Sequence, residues 1–99
     1  MSVLTTLPLT DASVAALSSS ASTTVLAAAP YGVRSYLFLS NPSAVTIWVN
    51  ISGGTAAANG AGCFSLASGA SIQFKTFVPN NAITARAAST TPTFTVQWA

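Results

Sequence analysis

Few side chains of this 99-residue chain could carry chemistry: Asp11 is the only acid, Cys63 the only cysteine, and there is no histidine. General acid–base catalysis needs two titratable groups within reach, and a nucleophilic triad needs a histidine. Metal sites need clustered His, Cys, Asp or Glu. We therefore expect no enzyme, cofactor or metal site, unless catalysis uses backbone groups alone. Cys63, beside Phe64, is interpreted as a small buried hydrophobe rather than a reactive thiol.

The remaining candidates are residues that could bind a partner. Arg34 and Arg86 could anchor an acidic surface, because a guanidinium binds a carboxylate through two hydrogen bonds. The alternative is that Arg34 caps a strand and Arg86 is solvated. Asp11 could form an ion pair with an arginine, within the chain or across subunits. Trp48 lies on the polar face of its predicted strand, where it is either an interface residue, as tryptophan often is, or packed under a loop of its own chain.

The composition excludes several classes of partner. Charged residues make up 4% of the chain, against about 25% in typical soluble domains. The three cations cannot neutralise the roughly six to ten phosphates of a nucleic-acid site. No apolar run reaches the ~20 residues of a membrane-spanning helix. Because the N-terminus has no cationic region and is interrupted by Pro8 and Asp11, we also expect no signal peptide and synthesis in the cytoplasm.

The elements that position these residues follow a period of two from residue 22 onward, which is typical of strands with one buried face. In AVTIWVNI, the residues Val45, Ile47, Val49 and Ile51 point to one side. The same spacing places Ile83, Ala85 and Ala87, then Phe94, Val96 and Trp98, and also Ile72 and Phe74 on inward faces. We expect strands near residues 23–28, 34–40, 44–51, 62–66, 71–77, 82–88 and 92–98.

Turn-forming clusters rich in Gly, Pro, Asn and Ser separate these runs. The Gly-rich stretch 52–62 lacks the Gly-Lys-Ser/Thr ending of a phosphate-binding loop, and we expect a hairpin or surface loop. Phe77 falls out of phase, which predicts a bulge or a strand end before Pro79. The spacing of the strands predicts an all-β fold: an antiparallel β-sandwich or jelly roll of about seven to eight strands.

Residues 1–21 lack the period of two, and we predict an extended N-terminal arm there, followed by one sandwich domain over 22–99. A single helical turn after Thr10 or Asp11 is the alternative for the arm. Residues 34–40 are apolar on both faces, with Tyr36 and Phe38 opposite Leu37 and Leu39. Such a strand is expected to be central or to be covered on its outer side.

The predicted outer faces carry Thr, Ser, Ala and Gln rather than Lys and Glu, although monomeric sandwiches usually protect their edges with charge. Small uncharged side chains lose little when they leave water. We therefore expect a surface that is buried in an assembly. The candidate assembly-interface residues are Leu4, Leu7, Asp11, Arg34, Trp48 and Arg86.

Two long segments, RSYLFLSNPSAVTIWVNISGGTAAANGAGCFSLASGASIQF and VPNNAITARAASTTPTFTVQWA, resemble small virion accessory proteins of tailed bacteriophages. The similarity spans about residues 30–99 and leaves the arm outside. It implies a capsid decoration or cement protein: a β-sandwich, often a trimer, at junctions between capsomers. The residues that carry the resemblance as parts of the fold pattern are Arg34, Asn41, Gly53, Gly54, Ala85 and Trp98.

The sequence and the resemblance together predict a virion structural protein on the capsid surface. Its expected partners are the major capsid protein and further copies of itself, as a homotrimer or another symmetric homo-oligomer. Many weak contacts repeated over a lattice would give strong attachment. The alternative is a tail or fibre adhesin that holds host glycans through Trp48 or Tyr36, although few polar side chains are available to hold sugar hydroxyls.

Overall fold

The computed structural model describes residues 8–29 and 34–99 and has eight strands and no helix in these ranges. The strands are β1 (Thr10–Asp11), β2 (Thr23–Leu26), β3 (Leu37–Ser40), β4 (Ile47–Asn50), β5 (Cys63–Leu66), β6 (Ser71–Phe74), β7 (Ile83–Ala87) and β8 (Thr95–Trp98). All strand pairs are antiparallel. The predicted all-β class is confirmed, and each of the seven expected strands contains an observed one.

The strands form two sheets of four, with the orders β1-β8-β3-β6 and β2-β7-β4-β5. Sequence neighbours mostly lie in different sheets, and strands distant in sequence pair side by side. Two interlocked Greek keys across two sheets define a jelly roll. Of the two predicted architectures, the strand order therefore selects the jelly roll.

The core lies between the two sheets and is built by the residues that alternate inward. Ile47 and Val49 of β4 are fully buried, as are Ile83 and Ala85 of β7. Other fully buried members are Leu37, Leu39, Phe94 and Val96. The half-buried Ile72, Phe74 and Trp98 pack against this cluster. The inward faces predicted from the period of two are thus correct except at Val45, which precedes β4 and lies outside the core cluster. Strand β6 ends at Phe74 before the exposed Phe77.

The N-terminal segment differs from the predicted arm. Strand β1 pairs with β8, Val14 forms a bridge with Phe94, and Leu17 is 0% exposed within the core. Residues 10–17 therefore belong to the sandwich, and no helical turn forms there. The pairing prevails because Leu17 gains burial and the backbone of 12–17 gains partners in residues 92–96.

Strand β3 is central, with β8 on one side and β6 on the other. This confirms one of the two explanations for its apolar composition. Leu37 and Leu39 face the core, whereas Phe38 is half-buried on the outer side. Tyr36, two residues earlier, is half-buried as well.

Buried asparagines hold the turns at the strand ends. Asn41 is 0% exposed, and its Nδ2 donates to the carbonyls of Val45 at 2.7 Å and Leu66 at 2.9 Å. Its Oδ1 accepts from the amide of Ser43 at 3.0 Å. One side chain thus joins the β3–β4 turn to the end of β5, which explains an uncharged polar group inside the sandwich.

Candidate assembly surface

The charged residues are distributed so that the surface is even more neutral than the composition suggests. Asp11 and Lys75 are exposed, Arg86 is half-buried, and Arg34 is buried. Since the chain has no other Asp, Glu, Lys or Arg, two charged side chains are exposed and a third is half-buried. Most contact with water is therefore made by uncharged groups.

Arg34 is an internal tie rather than an anchor for a partner. It is 3% exposed, and its Nη1 donates to the carbonyls of Pro79 at 2.7 Å and Asn81 at 3.0 Å. Its Nη2 donates to the carbonyl of Ala27 just after β2. Burial lowers the pKa of the Arg34 guanidinium, but from so high a starting value that the group stays charged near neutrality.

The predicted interface role of Arg34 is therefore wrong, because its guanidinium is buried and donates hydrogen bonds to carbonyls of its own chain. The fork of an arginine suits this position, since it reaches carbonyls on two segments at once. The other interpretation, that Arg34 caps a strand, is closer to the structure, because one of its acceptors lies just after β2. The segments joined are the end of β2 and the loop between β6 and β7.

Trp48 and Arg86 lie next to each other on the outer face of the sheet β2-β7-β4-β5. They are paired in register between β4 and β7, and the exposed Ser65 of β5 is opposite Trp48 on its other side. The Nε of Arg86 donates to the carbonyl of Ser19 at 3.1 Å, which leaves the rest of the guanidinium half-exposed. These two candidates therefore form one patch, with an aromatic and a cationic side chain together.

The loop 52–62 covers another part of this same outer face. Thr84 of β7 donates through Oγ1 to the carbonyl of Gly54 at 2.7 Å, and the amide of Ala56 donates to Oγ of Ser22 at 2.9 Å. A Cβ at Gly54 would lie 2.8 Å from Nδ2 of Asn50, so a larger residue there would require the Asn50 side chain to move. The predicted surface loop is correct, and it is bound to the sheet.

Cys63 lies under this loop and is half-buried, with its Sγ 3.4 Å from the carbonyl of Thr55. It is therefore less buried than the sequence interpretation expected. The neighbouring Asn50 has its Nδ2 3.8 Å from the same sulfur.

The outer face of the other sheet, β1-β8-β3-β6, was not singled out from the sequence. One row of side chains crosses it in register: Asp11 of β1, Gln97 of β8, Phe38 of β3 and Gln73 of β6. The Oη of Tyr36 donates to Oε1 of Gln73 at 3.3 Å. Alternation placed Gln97 outward but did not decide which face of residues 34–40 carries Phe38, and only the strand order shows that the two are neighbours.

Asp11 lies at the β1 edge of that face, and its Oδ1 accepts hydrogen bonds from the amide and hydroxyl of Ser13. Both arginines bind backbone carbonyls, so the expected pair between Asp11 and an arginine is not formed within the chain. Leu4 and Leu7 lie outside the described residues. The four predicted interface residues that the structure describes thus do not form one surface.

A shallow depression of about 390 Å³ lies between the end of β4 and the loop after β6. Its described lining includes Ile51, Ser52, Phe77 and Val78, and it holds no charged side chain. Phe77 is 74% exposed at its edge. Nothing in this lining could act as an acid, base or metal ligand.

Across residues 8–29 and 34–99, no three His, Cys, Asp or Glu side chains come together as a metal site. The same ranges contain no helix that is long and apolar enough to cross a membrane. No protein-family model, curated protein or solved structure matches the chain. The resemblance to phage virion proteins therefore stays a prediction.

Proposed function

We propose that this chain is a structural protein of a phage virion, where it decorates or cements the capsid through non-covalent contacts with the major capsid protein and with other copies of itself. The observation that carries the proposal is the neutral surface of the jelly roll. Arg34 is buried and Arg86 is half-buried, which leaves Asp11 and Lys75 as the exposed charged side chains.

A neutral surface favours burial in an assembly because small uncharged side chains need only a hydrogen-bond partner, whereas an unpaired charge costs far more to desolvate. The edge strands β5 and β6 carry no charged residue along their length. Edges of this kind pair with other chains unless they are protected. A closed symmetric oligomer or a shell lattice would provide that protection.

The jelly roll also occurs in viral capsid domains and in lectins. Fold analogy alone assigns no function, but both uses agree with a chain that has no acid–base pair. The lattice would convert weak single contacts into firm attachment, because each copy binds at a high effective concentration.

The experiment compares virions that contain the protein with virions from which its gene is deleted. If it cements the shell, its absence lowers the temperature or the osmotic shock at which virions release DNA. Adding back the purified protein restores the original threshold. Unchanged thresholds would contradict a cementing role, and absence of the protein from purified virions would contradict the proposal as a whole.

A second candidate is a glycan-binding module of the virion, favoured by the patch formed by Trp48, Arg86 and Ser65. An aromatic ring can stack on a sugar while a neighbouring guanidinium and hydroxyl hold its oxygens. Glycan-array binding that is lost in Trp48→Ala, with an unchanged fold, would favour this candidate over capsid attachment.

A further inference from the structure

We infer that the outer face of the sheet β1-β8-β3-β6 pairs with the same face of a second copy of this chain, related by a two-fold axis, with Asp11 of each copy opposite Lys75 of the other. This inference concerns the isolated protein and does not depend on a virion role. It rests on the placement of the two exposed charges.

These charges have opposite signs, and we place them at opposite edges of one face. Asp11 is on the edge strand β1, in register with Gln97. Lys75 directly follows the other edge strand, β6, and the alternation of that strand, continued by one residue past its end, puts Lys75 on the same outer side as Gln73. Both are exposed.

This arrangement is self-complementary. A two-fold axis in the plane of the face, midway between the two charges and perpendicular to the line that joins them, exchanges their positions. In such an interface, residue i of one copy meets residue j of the other and the reverse contact follows. The single acid and the single lysine of the chain therefore form two ion pairs per dimer.

The centre of the face supplies apolar contact. Phe38 projects from the central strand β3, and Tyr36 directly precedes that strand. Gln73 and Gln97 flank Phe38 in register. Aromatic side chains at the centre of an interface provide most of its energy, and glutamines at their sides can hydrogen-bond across it. Each edge carries one charge, where partial hydration lowers the cost of pairing.

The outer face of the other sheet does not meet the same conditions. It carries Arg86 as its only charged side chain among the described residues, and the loop 52–62 covers part of it through Thr84 and Gly54. If two copies paired through that face, Arg86 of one copy would find no carboxylate on the other.

The size of the face predicts a weak dimer. The four strands are about 4.8 Å apart and at most four residues long, so the face covers roughly 250 Å² per copy. Two copies would bury roughly 500 Å² of planar area, well below the ~1,200 Å² at which stable interfaces begin. We expect dimers to appear at high micromolar concentration and monomers to dominate when the protein is dilute.

The test is sedimentation velocity of the full chain over micromolar to millimolar concentrations. The wild type should show a reversible monomer–dimer equilibrium. Lys75→Glu should weaken the dimer about tenfold, because two attractive pairs become repulsive. The double variant Asp11→Lys, Lys75→Glu should restore affinity to within about threefold of the wild type. Added salt should weaken the wild-type dimer and narrow its difference from Lys75→Glu.

Matched variants separate the face from general charge effects. Thr24→Glu places a charge on the exposed outer side of the other sheet and should leave the equilibrium unchanged. Asp11→Asn keeps an acceptor for Ser13 while it removes the charge, so weakening by this variant cannot come from loss of that turn. Circular dichroism checks that each variant folds.

Three results would overturn the inference: a monomer at every concentration, a dimer that Lys75→Glu does not weaken, or equal weakening by Thr24→Glu. Loss of virion attachment with an intact dimer would contradict only the proposed function.

Discussion

Arg34 shows how a rare charge can be used inside a nearly neutral chain. Its guanidinium replaces lost hydration with hydrogen bonds to the carbonyls of Ala27, Pro79 and Asn81. Removing it would leave three acceptors without that donor, and an unsatisfied buried polar group costs about 1–3 kcal/mol. The cost of its desolvation is the reason that its pKa is lowered.

We expect Arg34→Met to lower the free energy of unfolding by about 2–4 kcal/mol, and Arg34→Lys to lose about half as much because one ammonium cannot reach both segments. Arg86→Met is the matched control. It removes one hydrogen bond from a half-exposed side chain and should cost less than about 1 kcal/mol. Urea denaturation measures all three, and equal losses for Arg34→Met and Arg86→Met would contradict the internal role of Arg34.

At the scale of elements, the N-terminal segment is where the structure differs most from the sequence-based prediction. Residues 10–17 supply an edge strand and one core side chain, although their sequence shows no strand period. We expect Leu17→Ala to lower the free energy of unfolding by about 2–5 kcal/mol, as a buried leucine does.

Leu9→Ala is the control for that prediction, because Leu9 is 52% exposed just before β1. It should cost less than about 0.5 kcal/mol. Thermal or urea unfolding of both variants gives the comparison. A Leu17→Ala variant as stable as Leu9→Ala would show that this segment lies outside the folded core.

The strands that were predictable have apolar residues spaced by two, as in Ile47 and Val49, because one buried face imposes that period directly on the sequence. Strand β1 was not predicted because Thr10–Asp11 buries no side chain. Backbone pairing with β8 holds it in place, and such pairing leaves no pattern of apolar side chains in the sequence. The inward role of Arg34 was missed for a related reason. Its acceptors come from segments far apart in sequence, and only the folded chain brings them together.

The pairing of outer faces is likewise a property of topology. The period of two identifies Gln73 and Gln97 as outward and leaves Phe38 on one of two apolar faces. The order β1-β8-β3-β6 is needed to place Asp11 and the end of β6 at opposite edges. Paired residues in this jelly roll lie up to 88 positions apart, as Thr10 and Trp98 do (98 − 10). The sequence therefore indicates which side of its strand a residue lies on, but not which residues of other strands lie beside it.

At the scale of the whole molecule, a jelly roll with two exposed charged side chains has a surface suited to repeated contact with other protein. Its uncharged surface loses little free energy when it leaves water, and the self-association that we predict is weak. In a lattice, such a subunit would bind firmly, because many weak contacts act together at high effective concentration. The proposed virion role and the inferred dimer both depend on contacts between surfaces that carry few charges.

Quantitative mass spectrometry of purified virions, counting copies of this chain per copy of the major capsid protein, decides between attachment to the shell and other locations. A decorating or cementing role predicts a fixed ratio that is a simple fraction of the capsid lattice, retained after gradient purification. A few copies per particle would instead indicate the tail. No copies in purified particles would contradict the virion role.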